Sequence, residues 1–144
     1  MTIIDPVKLV VEILTSLGHT EVHSDRITAR SLSSPEYIFV QEQTGIMPHI
    51  RYSDRPTIQI LVYSNLGFDE SRRLSYKIVQ ELQDSQGKTF ASGGIHRVIP
   101  LVRPSRLDVA GLPNNVGRTS TQLDLILSSL EKWDLGWAYL LRVP

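Results

Sequence analysis

The sequence predicts an α+β domain in which two amphipathic helices pack on a mixed, largely antiparallel sheet. Three observations indicate this class: a capped helical repeat near the N-terminus, a strongly apolar strand at residues 57–63, and a second helical repeat soon after it. The chain has 144 residues, which is the usual size of one domain. We therefore expect residues 1–144 to form a single domain.

Residues 6–17 predict the first helix. Asp5 and Pro6 make an N-cap and first-turn pair, and Gly18 stops the pattern. Apolar residues recur at helical spacing and form the expected core face: Val7, Val10, Val11, Leu14 and Leu17. One face of this helix should therefore lie on the sheet and the other in solvent.

Three strands are predicted in the first half of the chain. Residues 27–32 (ITARSL) and 36–43 (EYIFVQEQ) are rich in β-forming residues and are separated by a Ser-Ser-Pro turn. Residues 57–63 (TIQILVY) are almost continuously apolar, which predicts a central strand covered on both faces. Residues 44–56 between them show no periodicity and predict a long loop.

The second helix is predicted to begin after Asp69 as N-cap and to end at Gly87. On its outer face Lys77 and Glu81 have the spacing of a solvated ion pair. The buried side should combine aliphatic residues with small ones that allow close approach: Ser71, Leu74, Ser75, Ile78 and Leu82.

Two further strands are predicted in the second half. Residues 92–94 (Ser-Gly-Gly) indicate a flexible joint before a strand at 95–103, whose Pro100 lacks a ladder donor and so belongs at an edge or a bulge. A second long loop is expected at 104–117, followed by a strand at 119–127 with one buried face.

The C-terminal residues 129–144 alternate with period two and place both tryptophans of the protein on one side. The alternating residues are Trp133, Leu135, Trp137, Tyr139, Leu141 and Val143. Two interpretations remain open: a last strand in the domain's own sheet, or an arm that docks on a neighbouring subunit.

Composition excludes several classes of function. Fifteen basic and fifteen acidic residues give a formal net charge of zero, so no overall field attracts nucleic acid or anionic lipid. The absence of cysteine removes disulfides, thiolate metal sites and thiol nucleophiles. No apolar run approaches the roughly 20 residues of a membrane span, and the first residues do not match a signal peptide.

No motif in the sequence predicts catalysis, a cofactor or a metal. His19 and His23 are four apart, but Gly18 ends the helix before them and no H-E-x-x-H is present. Neither a phosphate-binding glycine motif nor a G-x-S-x-G elbow occurs. Arginines do collect near the second loop, notably Arg103 and Arg106. Arginine is suited both to contact with DNA and to polar contacts across a protein interface, so both roles remain open.

The order of elements resembles that of tail terminator and tail-completion proteins of long-tailed, siphovirus-type bacteriophages. The resemblance spans residues 5–127 and is most specific at 56–82, an apolar strand followed by an amphipathic helix. A loop rich in Pro, Asp and Gly then leads through Gly117 and Arg118 into another strand. The aromatic arm at 129–144 has no counterpart in that pattern.

The resemblance implies a structural virion protein without enzymatic activity or cofactor. Such a subunit forms a ring, hexameric in the family, on the head-proximal end of the tail tube. The ring stops polymerisation of the tube protein, contacts the head connector and lets viral DNA pass through its lumen. On this hypothesis the interface residues are Arg103, Arg106, Trp133, Trp137 and Tyr139. A head-completion or neck protein is the main alternative, and a small nucleic-acid-processing enzyme is a weaker one.

Overall fold

The computed structural model describes residues 5–43, 56–107, 112–113 and 115–128. Two α-helices and six strands occur in these ranges, with one short 3₁₀ helix at Ala29–Leu32. In chain order they are α1 (Pro6–Ser16), β1 (Val22–His23), β2 (Tyr37–Glu42), β3 (Thr57–Ser64), α2 (Phe68–Asp84), β4 (Thr89–Phe90), β5 (Gly93–Arg106) and β6 (Gly117–Ser128).

The strands form one sheet in the order β1-β2-β3-β6-β5-β4. The β1–β2 pair is parallel, and every other pair in the described part is antiparallel. The predicted class, an α+β fold with a mixed and mostly antiparallel sheet, is therefore confirmed. β3 lies between β2 and β6, as expected for the most apolar strand.

The main core lies between the two helices and one face of the sheet. Leu9, Ile13 and Leu14 of α1 and Ile78 and Leu82 of α2 have no solvent exposure. They pack in one cluster with alternate residues of the central strands: Ile38, Val40, Ile58, Ile60, Val62, Leu123 and Leu125. Because side chains alternate across a strand, the intervening residues point to the opposite face of the sheet.

That opposite face carries a second, smaller apolar cluster. Tyr37, Phe39, Leu61 and Tyr63 are buried there, and Val116 covers them with Leu107 and Leu112 from the β5–β6 connection. Tyr37 is completely buried, and its hydroxyl accepts a hydrogen bond of 2.9 Å from the backbone N–H of Thr28. The prediction that residues 57–63 are covered on both faces is confirmed.

The first helix begins where it was predicted, and its buried face is partly different. Asp5 accepts hydrogen bonds from the N–H groups of Val7 and Lys8, and Gly18 adopts a φ of 99° just after the helix. Leu17, predicted to lie in the core, is 50% exposed. The buried face instead uses Leu9 and Ile13, because the chain leaves the helix at residue 17.

The start of α2 corrects the predicted cap. Gly67 is the N-cap, with a φ of 111°, and no side chain caps the helix, so Asp69 lies inside the first turn. The cause is close packing against β6, since a Cβ atom on Gly117 would lie 2.4 Å from the Gly67 carbonyl oxygen and from the Phe68 Cα. The C-terminal end agrees better with prediction: the helix ends at Asp84, and Gly87 follows with a φ of 82°.

Hydroxyl groups join α2 to the sheet in place of larger apolar side chains. Ser71, Ser75 and Thr119 are completely buried. The Thr119 hydroxyl lies 2.7 Å from that of Ser71 and 2.6 Å from that of Ser75, and Ser71 also donates to the carbonyl of Val62. The predicted close approach at Ser71 and Ser75 is confirmed, and its polar network holds the helix in register.

Two predicted elements are wrong, and the predicted loop at 104–117 begins later than expected, because residues 104–106 still belong to β5. Residues 27–32 do not form a strand, because Ala29–Leu32 is a 3₁₀ helix and the strand that joins the sheet is β1 at Val22–His23. Residues 93–94 are not a flexible joint, because Gly93 and Gly94 belong to β5 and pair with β4. β1 forms because it pairs with Ile38 and Phe39 of β2, and Gly94 also pairs with Ser128 of β6. Local composition does not contain the information on these pairings.

Candidate interaction surface

The candidate surface is β5, which forms most of one edge of the sheet. β4 covers only its first two residues, so beyond Gly94 no described strand pairs with its outer side. The segment after α2 covers the next part, where Gly87 N–H donates to the Ile95 carbonyl and the Gln86 side chain accepts from the Val98 N–H. Within the part of the chain that the structure describes, no segment pairs with the outer side of residues 99–106, and we call this stretch the open part of the edge.

Pro100 lies on this edge, as the sequence predicted, and Pro104 follows it four residues later. Neither residue can donate a backbone hydrogen bond, and prolines on an edge strand hinder the addition of another strand. The register with β6 also shifts between Pro100 and Val102 and again before Ser105. The edge therefore presents its side chains, rather than a regular ladder, to a partner.

Arg103 and Arg106 both lie on this open edge, and both are exposed. The guanidinium of Arg106 lies 5.2 Å from the centroid of the Phe68 ring, a cation–π distance that fixes it beside the start of α2. Arg97, near the beginning of the same strand, is also exposed. The other three predicted interface residues, Trp133, Trp137 and Tyr139, lie outside the described residues.

Leu101 and Val102 are part of the surface although the sequence analysis did not single them out. They are 50% and 40% exposed, between the two prolines. Exposed aliphatic residues flanked by arginines are typical of the centre of a protein interface rather than of a nucleic-acid contact. A usable signal was present, since the run Val98–Val102 contains a proline, which lacks a backbone N–H and so indicates a strand at an edge of the sheet.

Outside β5, the most concentrated set of ionisable groups is His19 with Glu36 and Glu81. The side chain of His19 is only 6% exposed. Its Nδ1 contacts Glu36 Oε1, and its Nε2 lies 2.9 Å from Glu81 Oε2. These three residues join the segment after α1 to the residue before β2 and to the last turn of α2. The predicted Lys77–Glu81 surface pair is therefore wrong, because Glu81 faces inward to the histidine.

His23 belongs to a separate set of contacts. Its ring stacks on Tyr37 with centroids 4.6 Å apart, and its Nε2 lies 2.9 Å from a carboxylate oxygen of Glu21. The other oxygen of that carboxylate contacts Arg30 at 2.8 Å. His19 and His23 therefore bind different carboxylates, and no group of three potential metal ligands occurs within the ranges that the structure covers.

On the second face of the sheet, Arg118 lies over Tyr63. The guanidinium is 5.2 Å from the ring centroid, and its Nε is buried without a hydrogen-bond partner in the described part of the chain. Burial raises the pKa of the Tyr63 hydroxyl, and the arginine partly offsets this effect. The contact stabilises the apolar cluster on this face and offers no nucleophile.

These features define an α+β domain with one exposed, basic and partly apolar sheet edge. No protein-family model matches the sequence, and no curated protein matches it either. Among the helices that the structure describes, neither is long and apolar enough to cross a membrane.

Proposed function

We propose that this chain is a structural virion protein that forms a ring at the head-proximal end of a bacteriophage tail tube. The ring, a hexamer in the family that the sequence resembles, caps the tube, stops polymerisation of the tube protein and joins the tail to the head connector. It acts through its surfaces and not through catalysis. Its partners are further copies of itself, the tube protein and connector proteins, with viral DNA passing through the lumen.

The observation that carries the proposal is the open part of β5. Four exposed side chains there combine aliphatic area with arginine, which is the composition of a protein interface. Prolines at both ends of the aliphatic pair disfavour uncontrolled strand addition, a property that a subunit needs when it must assemble into a closed ring and not aggregate.

The order of elements also supports the proposal. The stretch at residues 56–82 that carries the resemblance forms β3 and α2, a central strand followed by a helix on one face of the sheet. The helix is attached to β6 by the buried hydroxyl groups and by the contact of Gly117 with Gly67. This attachment gives a rigid unit that leaves both edges of the sheet for contacts between subunits.

The proposal is tested by native mass spectrometry of the purified chain over a range of concentrations, alone and with tail tube protein from the same phage. We expect a closed ring, or a ring that forms once tube ends are present. Tubes assembled with the chain should also be shorter and of more uniform length in electron micrographs. A chain that stays monomeric and leaves tube length unchanged would refute the proposal.

The main alternative is a head-completion or neck protein, and the measurement of tube length distinguishes it from a tail terminator. Such a protein would bind the connector and leave polymerisation of the tube unaffected. Pull-down with connector and with tube protein, each in turn, decides between the two roles. Metal-dependent cleavage of DNA by the purified chain would instead support the enzymatic alternative.

A further inference from the structure

The two edges of the sheet carry opposite formal charge. We call the edge that contains β5 the β5 side and the edge that contains β1 and β2 the β1–β2 side. β5 contains three arginines and no carboxylate, a formal charge of +3: Arg97, Arg103 and Arg106. Residues 21–43, which contain β1 and β2 at the other side of the sheet, have four carboxylates against two arginines and therefore carry −2. The chain as a whole is neutral, so this is a separation of charge within one domain.

Each side also exposes a pair of aliphatic residues. Leu101 and Val102 are exposed on β5, and Ile27 and Leu32, at 41% and 40%, are exposed in the connection between β1 and β2. Two exposed carboxylates belong to the same side of the sheet: Asp25 lies in that connection, and Glu42 is the last residue of β2. Within the described ranges, the other large apolar residues with such exposure are Leu17, Leu66 and Tyr76.

We propose that the β5 side of one copy packs against the β1–β2 side of the next copy, side chain against side chain. This inference rests on the proposed ring and names the surfaces that build it. The contact joins two different surfaces. After two subunits have paired, each of them therefore still has one of its two surfaces available for a further subunit. Repeated head-to-tail contact of this kind produces a ring when the rotation between neighbours closes.

A second copy fits these observations better than nucleic acid does. Phosphate groups would attract the arginines but would gain nothing from Leu101 and Val102. The β1–β2 side supplies both carboxylates for the arginines and aliphatic residues for the aliphatic pair. Opposite charges on the two surfaces also disfavour a symmetric dimer, because β5 against β5 would bring arginines together.

The test uses the absence of cysteine in the natural sequence. In the double variant I27C/V102C, the two thiols lie on the two surfaces that are proposed to meet. Mild oxidation should produce a ladder of disulfide-linked oligomers that ends at the ring size. The single variants I27C and V102C should each stay monomeric, and their equimolar mixture should give dimers only.

The matched control is Y76C/V102C, because Tyr76 is as exposed as Ile27 but lies on α2 and belongs to neither of the two surfaces. An equal ladder from the control, or efficient dimers from V102C alone, would overturn the head-to-tail contact. If native mass spectrometry shows a ring while I27C/V102C gives no ladder, the interface is wrong and the ring remains. If neither a ring nor a ladder forms, both proposals fail.

Charge exchange gives an independent readout. R103E and E42K should each weaken assembly about tenfold or more, since each brings like charges together across the contact. In an equimolar mixture, the new glutamate of one chain faces the new lysine of the other, and assembly should return. If the ladder is absent and R103E abolishes binding of duplex DNA, β5 is a nucleic-acid surface and the inference is overturned.

Discussion

Gly117 leaves no room for a side chain beside Gly67, because a Cβ atom at that position would lie 2.4 Å from the Gly67 carbonyl oxygen. The contact brings the beginning of β6 against the beginning of α2. It explains why the helix starts on a glycine with a φ of 111° and has no side-chain cap. Close approach of two backbones has displaced the capping residue that local sequence would favour.

Replacement of Gly117 by alanine should therefore destabilise the fold. The clash is with backbone atoms, which cannot rotate away, and we expect a loss of about 3 kcal/mol in the free energy of unfolding. Urea denaturation followed by circular dichroism measures it. The control is G87A: Gly87 has a φ of 82° but open space around it, so only backbone strain of about 1 kcal/mol is expected. Equal losses in the two variants would contradict the packing argument.

The buried hydroxyl groups give a second prediction. T119V keeps the shape of the side chain but removes the hydroxyl that contacts both Ser71 and Ser75. We expect it to lower the free energy of unfolding by about 1–3 kcal/mol, because buried polar groups lose a partner. T89V at an exposed position should have little effect.

A variant that lacks all three buried hydroxyl groups should lose less free energy of unfolding than T119V, which lacks only the central one. The triple variant S71A/S75A/T119V leaves fewer unsatisfied polar atoms, so part of the loss in T119V should be recovered. If the triple variant is less stable than T119V by the sum of three separate losses, the hydroxyls act independently and the network interpretation is wrong.

The two helices and the central strands could be predicted from the sequence because their signals are local. At the start of α1, Asp5 accepts hydrogen bonds from two backbone N–H groups, and Pro6 has no N–H that needs a partner. Residues 57–63 are apolar enough to require a central position in the sheet. The alternation at 119–127 likewise predicts β6, which the structure extends to Gly117–Ser128. Each of these signals depends on residues fewer than ten positions apart.

The elements that were missed depend on partners far away in the sequence. β1 is only two residues long and exists because it pairs with Ile38 and Phe39. Gly94 belongs to β5 because it pairs with Ser128 of β6, and Glu12 of α1 holds the turn before it. The inward position of Glu81 depends on His19, 62 residues earlier. For the candidate surface, Pro100 predicted that its strand lies at an edge of the sheet. The exposure of Leu101 and Val102 follows from the order of the strands.

The contact of His19 with Glu36 and Glu81 predicts a strong effect of the histidine on stability. H19A leaves two carboxylates near each other without their shared partner, and Glu81 is only 17% exposed. We expect the free energy of unfolding to fall by about 2 kcal/mol at neutral pH. H96A, at an exposed position on β5, is the control and should change it by less than about 0.5 kcal/mol. A neutral effect of H19A would show that the histidine does not hold these elements together.

Glu12 makes the stability depend on pH. It accepts hydrogen bonds from the hydroxyl and N–H of Ser92 and the N–H of Ala91, and the hydroxyl contributes most to lowering the pKa of the carboxyl. A carboxyl whose pKa is lower in the folded than in the unfolded state stabilises the fold above its unfolded pKa. This contribution is lost as the pH falls through the folded pKa.

The variant E12Q should therefore be less stable than the natural chain at pH 7, and the difference should shrink between pH 7 and pH 2 as the carboxyl of Glu12 becomes protonated. Melting temperatures measured across that range give the difference directly. A constant difference between E12Q and the natural chain from pH 7 to pH 2 would mean that packing, and not the charge of Glu12, holds the β4–β5 turn.

The central claim is that this domain works as a ring subunit on a tail tube. Native mass spectrometry of the natural chain with tail tube protein tests it most directly, because one spectrum gives both the number of subunits and the dependence on the tube. We expect a single closed oligomer, six subunits by the family resemblance, that forms alone or when tube ends are present. A spectrum that contains only monomer at every concentration, with or without tube, would contradict the claim.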